Sequence, residues 1–256
     1  MTYKEWAAYR THSMISIFVG PVFYLVQMFI WTAVYSSSEL IGSMTLGSML
    51  TYYAVTALLN YLTMDFADWN LQMLIHTGKY TSFALRPVNH MLFAFFQKIG
   101  HRFLGVIFEF IPVLLIFVWV FRIDLVPYSL PAAVLSLILC YIMNFSVNYA
   151  IGTTAFWLTK TGGLRGVIML IKSIFAGSLI PLTFFPAVIQ KVMFFLPFQY
   201  ISYIPAMIFT GSTNLGGMHL SVWSMVGIQA AYTLLFTLLA GTLYHFGNRR
   251  YTGVGA

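Results

Sequence analysis

Charge is what this chain has least of. Only 7% of its 256 residues are charged, 60% are hydrophobic, and the mean hydropathy is +0.84. A soluble domain of this length has no use for so much apolar surface, so the composition points to a polytopic helical membrane protein. Cysteine is nearly absent. Cys140 stands alone inside an apolar run, which excludes an intrachain disulfide and a cysteine metal site. No G-x-x-x-x-G-K-[ST] occurs, so the chain cannot cradle nucleotide phosphates by itself. Neither H-E-x-x-H nor G-x-S-x-G is present, and none of the six histidines pairs with an acidic neighbour at ligand spacing. The expectation is a chain that is not an enzyme, with no catalytic residue, cofactor site or metal site. The alternating strands of a membrane barrel are missing too. The formal charge of +7 comes from basic residues scattered between apolar runs, which fits a topology signal and no nucleic-acid partner.

Apolar runs of about 20 residues match a hydrocarbon core of about 30 Å. Six are expected, at about 14–35, 46–64, 103–121, 132–158, 166–185 and 220–246, within a single transmembrane domain over 1–256. The first reads as an uncleaved span, because no small-residue cleavage site follows Lys4 and Arg10. The stretch from Pro186 to Gly211 is apolar enough for a seventh, but Pro186, Pro197 and Pro205 interrupt it. Charge counting favours six. With a cytoplasmic N-terminus, the inside carries Lys4, Arg10, Lys79, Arg86, Lys98, Arg102, Lys160, Arg165, Lys172, Arg249 and Arg250, and the outside only Arg122 and Lys191, a split of 11 against 2. A seventh span would move Arg249 and Arg250 outward. Both termini are therefore expected in the cytoplasm, with the Pro-interrupted stretch folded as an exofacial re-entrant hairpin.

The longest segment that cannot sit in a bilayer is Asp65 to Arg102. Asp65, Asp68, Gln72, His76 and Lys79 recur at spacings of three, four, four and three, so a helix carries them on one face, with Phe66, Trp69 and Met73 elsewhere. The aspartates sit at the favourable N-terminal end and Gly78 suits a C-terminal cap. Pro87 disfavours helix at Arg86, and Asn89 can cap the next one. The pattern predicts an amphipathic helix at a membrane surface, with the polar stripe turned to the cytosol; a solvated loop is the plainer alternative.

Inside the spans, Glu109 is the one deeply placed acid, and such a charge faces protein or water. Two readings stand side by side: a cation-attracting residue in a substrate path, or a hydrogen-bonded carboxyl near the cytoplasmic end. Lys172 lies seven residues after Arg165 and is expected to snorkel back to the cytoplasmic surface.

Two stretches go beyond generic membrane chemistry: GKYTSFALRPVNH from Gly78 to His90, and GSLIPLTFFPAVIQKVMFFLPFQYISYIPAMIFTG from Gly177 to Gly211. Together they resemble ABC-2 type permeases of the viologen-exporter-like, multidrug branch, whose patterns are G…LLRPVNP and SG.LIPL.FFP…LPF.Y..Y.P…..G. Here His90 replaces the second proline and Ala84-Leu85 the leucine pair. The resemblance implies the transmembrane subunit of an exporter in a bacterial cytoplasmic membrane. A second permease subunit, identical or homologous, would pair with it, and two copies of a cytoplasmic ATPase would bind the ATP and Mg. Asp65, Asp68, Gln72, His76, Lys79 and Arg86 would then face the ATPase as a coupling helix. The hairpin residues Pro181, Phe184, Phe185, Pro186, Phe194, Phe195, Pro197, Phe198, Tyr200 and Pro205 would form an outer gate. An ion-coupled carrier or channel is the competing reading, with Glu109 its only support.

Overall fold

The computed structural model describes residues 10–37, 40, 44–212, 214–215 and 218–251. It is helical almost throughout. The helices are α1 (Arg10–Val34), α2 (Leu46–Thr63), α3 (Ala67–His76), α4 (Thr81–Ala84), α5 (His90–Val120), α6 (Leu130–Thr153), α7 (Gly162–Phe175), α8 (Ala187–Phe194), α9 (Tyr203–Thr210) and α10 (Val222–Arg250). A two-residue antiparallel pair, β1 (Asn214–Leu215) and β2 (Met218–His219), with Asn214 opposite His219, precedes α10. Four helical stretches are long and apolar enough to cross a membrane: Ile15–Val34, His90–Val120, Leu130–Phe156 and Val222–Arg250.

Two of the expected spans have other bounds. The third begins at His90, not near 103, and α5 runs for 31 residues without a break. Asn89 caps it as expected, its side chain accepting from the Met91 and Leu92 amides at 2.9 and 3.3 Å. The polar residues Lys98 and Arg102 do not end it, because they turn inward to partners on neighbouring segments. Pro112 is absorbed where the helix widens into π turns over Val106–Phe110 and Ile116–Val120, which accommodate the missing amide hydrogen. The fifth expected span, 166–185, stops as a helix at Phe175. Gly177 takes a left-handed backbone (φ 75°), which side chains resist and glycine does not. Tyr52 and Tyr53 of α2 then donate to the Gly177 and Leu179 carbonyls at 2.7 and 2.9 Å, fixing the turn.

α2 is the inner helix, buried without interruption from Tyr52 to Leu59. It is flanked by α1, α5, α6 and α9. α6 and α10 pack along much of their length, and a reciprocal bond locks them. Ser136 Oγ donates to Gln229 Oε1 at 2.7 Å, and Gln229 Nε2 returns to the Ser136 and Tyr200 carbonyls at 3.1 Å. In an apolar surrounding such interhelical bonds fix register.

Consecutive long helices run up and down, so the connections collect at two ends. At one end lie α3, α4, the 154–161 turn and the last turn of α10. The contacts of Tyr80 with Asn248, Thr81 with Tyr251 and His76 with Thr161 bind them together. At the other lie the 122–129 connection and the described residues of the 35–45 and 177–220 segments. There Phe184 packs on Trp31 (ring centroids 5.2 Å apart) and the Tyr128 amide donates to the Phe209 carbonyl at 2.9 Å.

Candidate coupling site

The α3 helix forms where the pattern placed it. The Ala67 amide donates to Asp65 Oδ1 at 2.9 Å at its start, and Gly78 (φ 72°) takes the left-handed position beyond its end. Its orientation, however, is reversed. Asp68 is wholly buried, Gln72 is 5% exposed and the Asp65 side chain 1%, while Phe66, Trp69 and Met73 lie on the outer surface. The N-terminal part of the stripe does not face outward because Asp65, Asp68 and Gln72 each have a protein partner. Asp68 Oδ2 pairs with Arg165 Nε of α7. Gln72 Nε2 donates to the Ile151 carbonyl at 3.4 Å, and Lys98 Nζ stands 3.9 Å from Asp65 Oδ1. Burial pushes the Asp65 carboxyl above the usual carboxylate range, against the opposing pull of Lys98, Asn148 and the Ala67 amide. Of the six residues expected at the coupling face, His76 is half-buried and only Lys79 and Arg86 are exposed. The Arg86 guanidinium lies 5.3 Å from the Phe83 ring centroid.

α3 reaches this position because it lies directly on α6. A Cβ on Gly152 would come within 3.1 Å of the Asp68 Cα and carbonyl oxygen, so a larger residue there would have to push the α3 backbone away by a few tenths of an ångström.

The neighbouring charges are also internal. Arg102 Nη1 donates to the Tyr61 carbonyl at 2.7 Å and Nη2 to the Met64 carbonyl at 3.1 Å, so one guanidinium caps the C-terminal end of α2. Its Nη1 also lies 3.5 Å from Glu109 Oε2, and both side chains are buried. Glu109 thus stands in a protein-internal ion pair. Lys172 does not snorkel. Its Nζ donates to Asn144 Oδ1 at 2.6 Å and Asn148 Oδ1 at 2.9 Å, and those two amides donate on to the Thr63 and Asp65 carbonyls at 2.6 and 3.3 Å. Asn144 and Asn148, one helical turn apart in an otherwise apolar run, were the sequence signal for this network, and the pattern of charged residues alone did not reveal it.

A second network ties the 78–90 loop to the C-terminal helix. Tyr80 Oη donates to Asn248 Oδ1 at 2.7 Å and lies 3.2 Å from Tyr244 Oη. His90 Nδ1 lies 2.9 Å from Tyr149 Oη, and the Tyr80 ring meets those of His90, Phe156 and Tyr251 edge-on. Burial pushes the Tyr80 hydroxyl well above the usual range, so it serves only as a neutral donor and acceptor. Tyr80→Phe should cost about 1 kcal/mol, a typical net hydrogen bond, and should speed amide exchange over 78–90 while leaving α6 unaffected. Beside this network a cavity of about 350 Å³ is lined by Ile75, His76 and the segment 155–159.

The residues expected at an outer gate lie at the opposite end and divide in two. Pro181, Pro197, Tyr200 and Pro205 are buried. Tyr200 stacks on Tyr232 of α10 with centroids 4.3 Å apart. Phe184, Phe185, Phe194 and Phe198 are half-buried, whereas Pro186 and Phe195, the latter 72% exposed, reach the surface. The second arm of the hairpin is not peripheral. Pro205 lies inside α9, whose residues from Tyr203 to Ile208 are all buried against α2 and α6, because apolar side chains cover every side of it.

Among the described residues there is no group of three histidines, cysteines or carboxylates placed to hold a metal. A bundle of long apolar helices, with its charges gathered into internal pairs near one end, defines a multi-pass membrane protein. Residues 22–255 match the family of ABC-2 family transporter proteins, and the chain belongs to that family. No curated protein and no solved structure matches it. Members are membrane permease components of ABC transporters and are generally not enzymes themselves.

Proposed function

We propose that the chain is the permease subunit of an ABC-2 exporter of the viologen-exporter-like, multidrug branch. In this reading it moves an amphipathic or hydrophobic substrate across a bacterial cytoplasmic membrane. Two permease subunits and two ATPase subunits make the working complex, and ATP and Mg are bound by the ATPases. The six-span topology has both termini in the cytoplasm. α2, and α7 with the chain that follows it, supply the two crossings beyond the four long helices, and the hairpin from Pro181 to Pro205 closes the exit.

The observation that carries the reading, beside family membership, is the distribution of charge at the α3 end. Lys79, Arg86, Lys160, Arg249 and Arg250 are exposed there, while the carboxylates of Asp65, Asp68 and Glu109 are buried and paired. Such a surface is complementary to an acidic rim on a cytoplasmic partner. Because Asp65, Asp68 and Gln72 face inward, the docking face of the coupling helix is Phe66, Trp69 and Met73, flanked by His76, Lys79 and Arg86. Aromatic and methionine side chains ringed by charge are the usual anchors of an interface.

Purification of the tagged chain from its native membrane tests this. A nucleotide-binding ATPase should accompany it in equal amount. Trp69→Glu with Met73→Glu should lower that recovery by about tenfold or more, the loss of one anchor site, without lowering the amount of permease in the membrane. Recovery of the chain with no ATPase would favour the carrier reading.

A further inference from the structure

We propose that Asp68 and Arg165 are positioning residues for transport, their ion pair being the tie through which a displacement of α3 reaches α7. The proposal rests on the permease reading, since it takes the ATPase as the source of that displacement.

α7 is joined to the rest of the chain in an unusual way. None of its residues is buried, and its outer face carries Leu164, Val167, Leu170 and Ile171. Its inner side packs Ile168, Met169 and Phe175 against the core, and two polar ties add to this. Arg165 and Lys172, seven residues or about two turns apart, both reach inward. Arg165 Nε donates to Asp68 Oδ2 on α3, and Lys172 Nζ donates to Asn144 and Asn148 on α6. The first tie ends on a rigid point. Asp68 is wholly buried in the first turn of α3, where the α3 backbone rests on Gly152 of α6. A shift of α3 therefore cannot be taken up by slack at Asp68.

The energetics of the pair favour this role over a stabilising one. Asp68 Oδ1 is buried and has no hydrogen-bond partner among the described residues, so half of the carboxylate is desolvated without return. A buried ion pair roughly breaks even against a neutral pair of the same shape, so an amide at each position would hold α7 about as firmly. What the charges add is direction. A single charge-assisted bond fixes two elements in one geometry and passes a displacement from one to the other. Lys172, held by neutral amides on α6, provides the point about which α7 can turn.

The test uses the permease–ATPase complex in lipid nanodiscs, with Cys140→Ser and Val167→Cys carrying an environment-sensitive fluorophore on the outer face of α7. Emission is compared between the nucleotide-free and the ATP–vanadate-trapped states. The parent chain should show a nucleotide-dependent change. Asp68→Asn with Arg165→Gln, which leaves no buried charge unpaired, should reduce that change by about threefold or more, within the range expected for loss of one coupling contact. ATP hydrolysis and recovery of the ATPase should stay as in the parent. Arg165→Lys, which keeps the charge, should retain the change. A full response in the neutral pair, no response in the parent, or a response in Arg165→Lys as small as in the neutral pair would each overturn the proposal. If no ATPase is recovered with the parent chain, the permease reading itself has failed and the tie falls with it.

Discussion

Replacing Arg102 with leucine is expected to be the most damaging single change in the chain. It strands the Glu109 carboxylate in a buried position and strips the Tyr61 and Met64 carbonyls of their donors at the end of α2. Breaking a buried ion pair from one side costs about 3–5 kcal/mol, because the remaining charge has neither partner nor water. Heated in detergent, Arg102→Leu should lose its monodisperse peak at a markedly lower temperature than the parent, with a lower membrane yield. Glu109→Gln should cost far less, since the guanidinium keeps both carbonyls. Adding Glu109→Leu to Arg102→Leu should restore part of the loss by removing the orphan charge. An Arg102→Leu chain as stable as the parent would show that the end of α2 is capped by something else. The same series separates the two readings of Glu109. A residue that attracts cations along a path predicts a transport defect in Glu109→Gln at unchanged stability, whereas a partner of Arg102 predicts little change in either.

The second large effect is expected at Gly152. A leucine there must displace Asp68 and Leu71, whose atoms lie 3.1 Å from the position of a first side-chain carbon, and two of those three contacts are backbone that cannot rotate away. Overpacking of this kind costs about 1–3 kcal/mol. The functional cost should exceed the thermal one, because the strain falls where α3 is seated. Gly152→Leu should insert and remain folded, yet recover less ATPase than the parent, whereas Gly227→Leu, at a glycine with open space around it, should insert, fold and recover as much ATPase as the parent. Equal ATPase recovery in both variants would mean that α3 does not need its seat on α6.

Much of the architecture was legible because apolar length and punctuation act locally. Asn89 and Gly78 behave as their types predict, and the long helices at 15–34, 130–156 and 222–250 follow from hydrophobicity alone. The start of α5 was misplaced because Lys98 and Arg102 read as interfacial charges. Only the fold reveals that Asp65 and the end of α2 wait for them. The same limit inverted α3. Helical periodicity groups Asp65, Asp68 and Gln72 on one face but does not say which face meets protein, and in a membrane protein the charged side is as apt to turn inward as outward. Arg165 and Lys172 could not be assigned to partners from spacing, since those partners sit on other helices. The tyrosines at 80, 149 and 244 were lost among the aromatic residues common near span ends, and only their convergence distinguishes them.

The shortness of α7 has a bearing on the surrounding lipid. Fourteen residues rise about 21 Å, some 9 Å less than a hydrocarbon layer of about 30 Å. On the proposed six-span topology, in which α7 belongs to a crossing, the remaining depth would fall to the non-helical chain after Phe175, whose carbonyls would be intolerable to acyl chains if left open. Tyr52 and Tyr53 close two of them, at Gly177 and Leu179, from the adjacent helix. On that topology the membrane thickness this part of the protein can match would be set by tyrosine hydroxyls borrowed from α2, with hydrophobic mismatch at α7 relieved within the protein and not by thinning the bilayer.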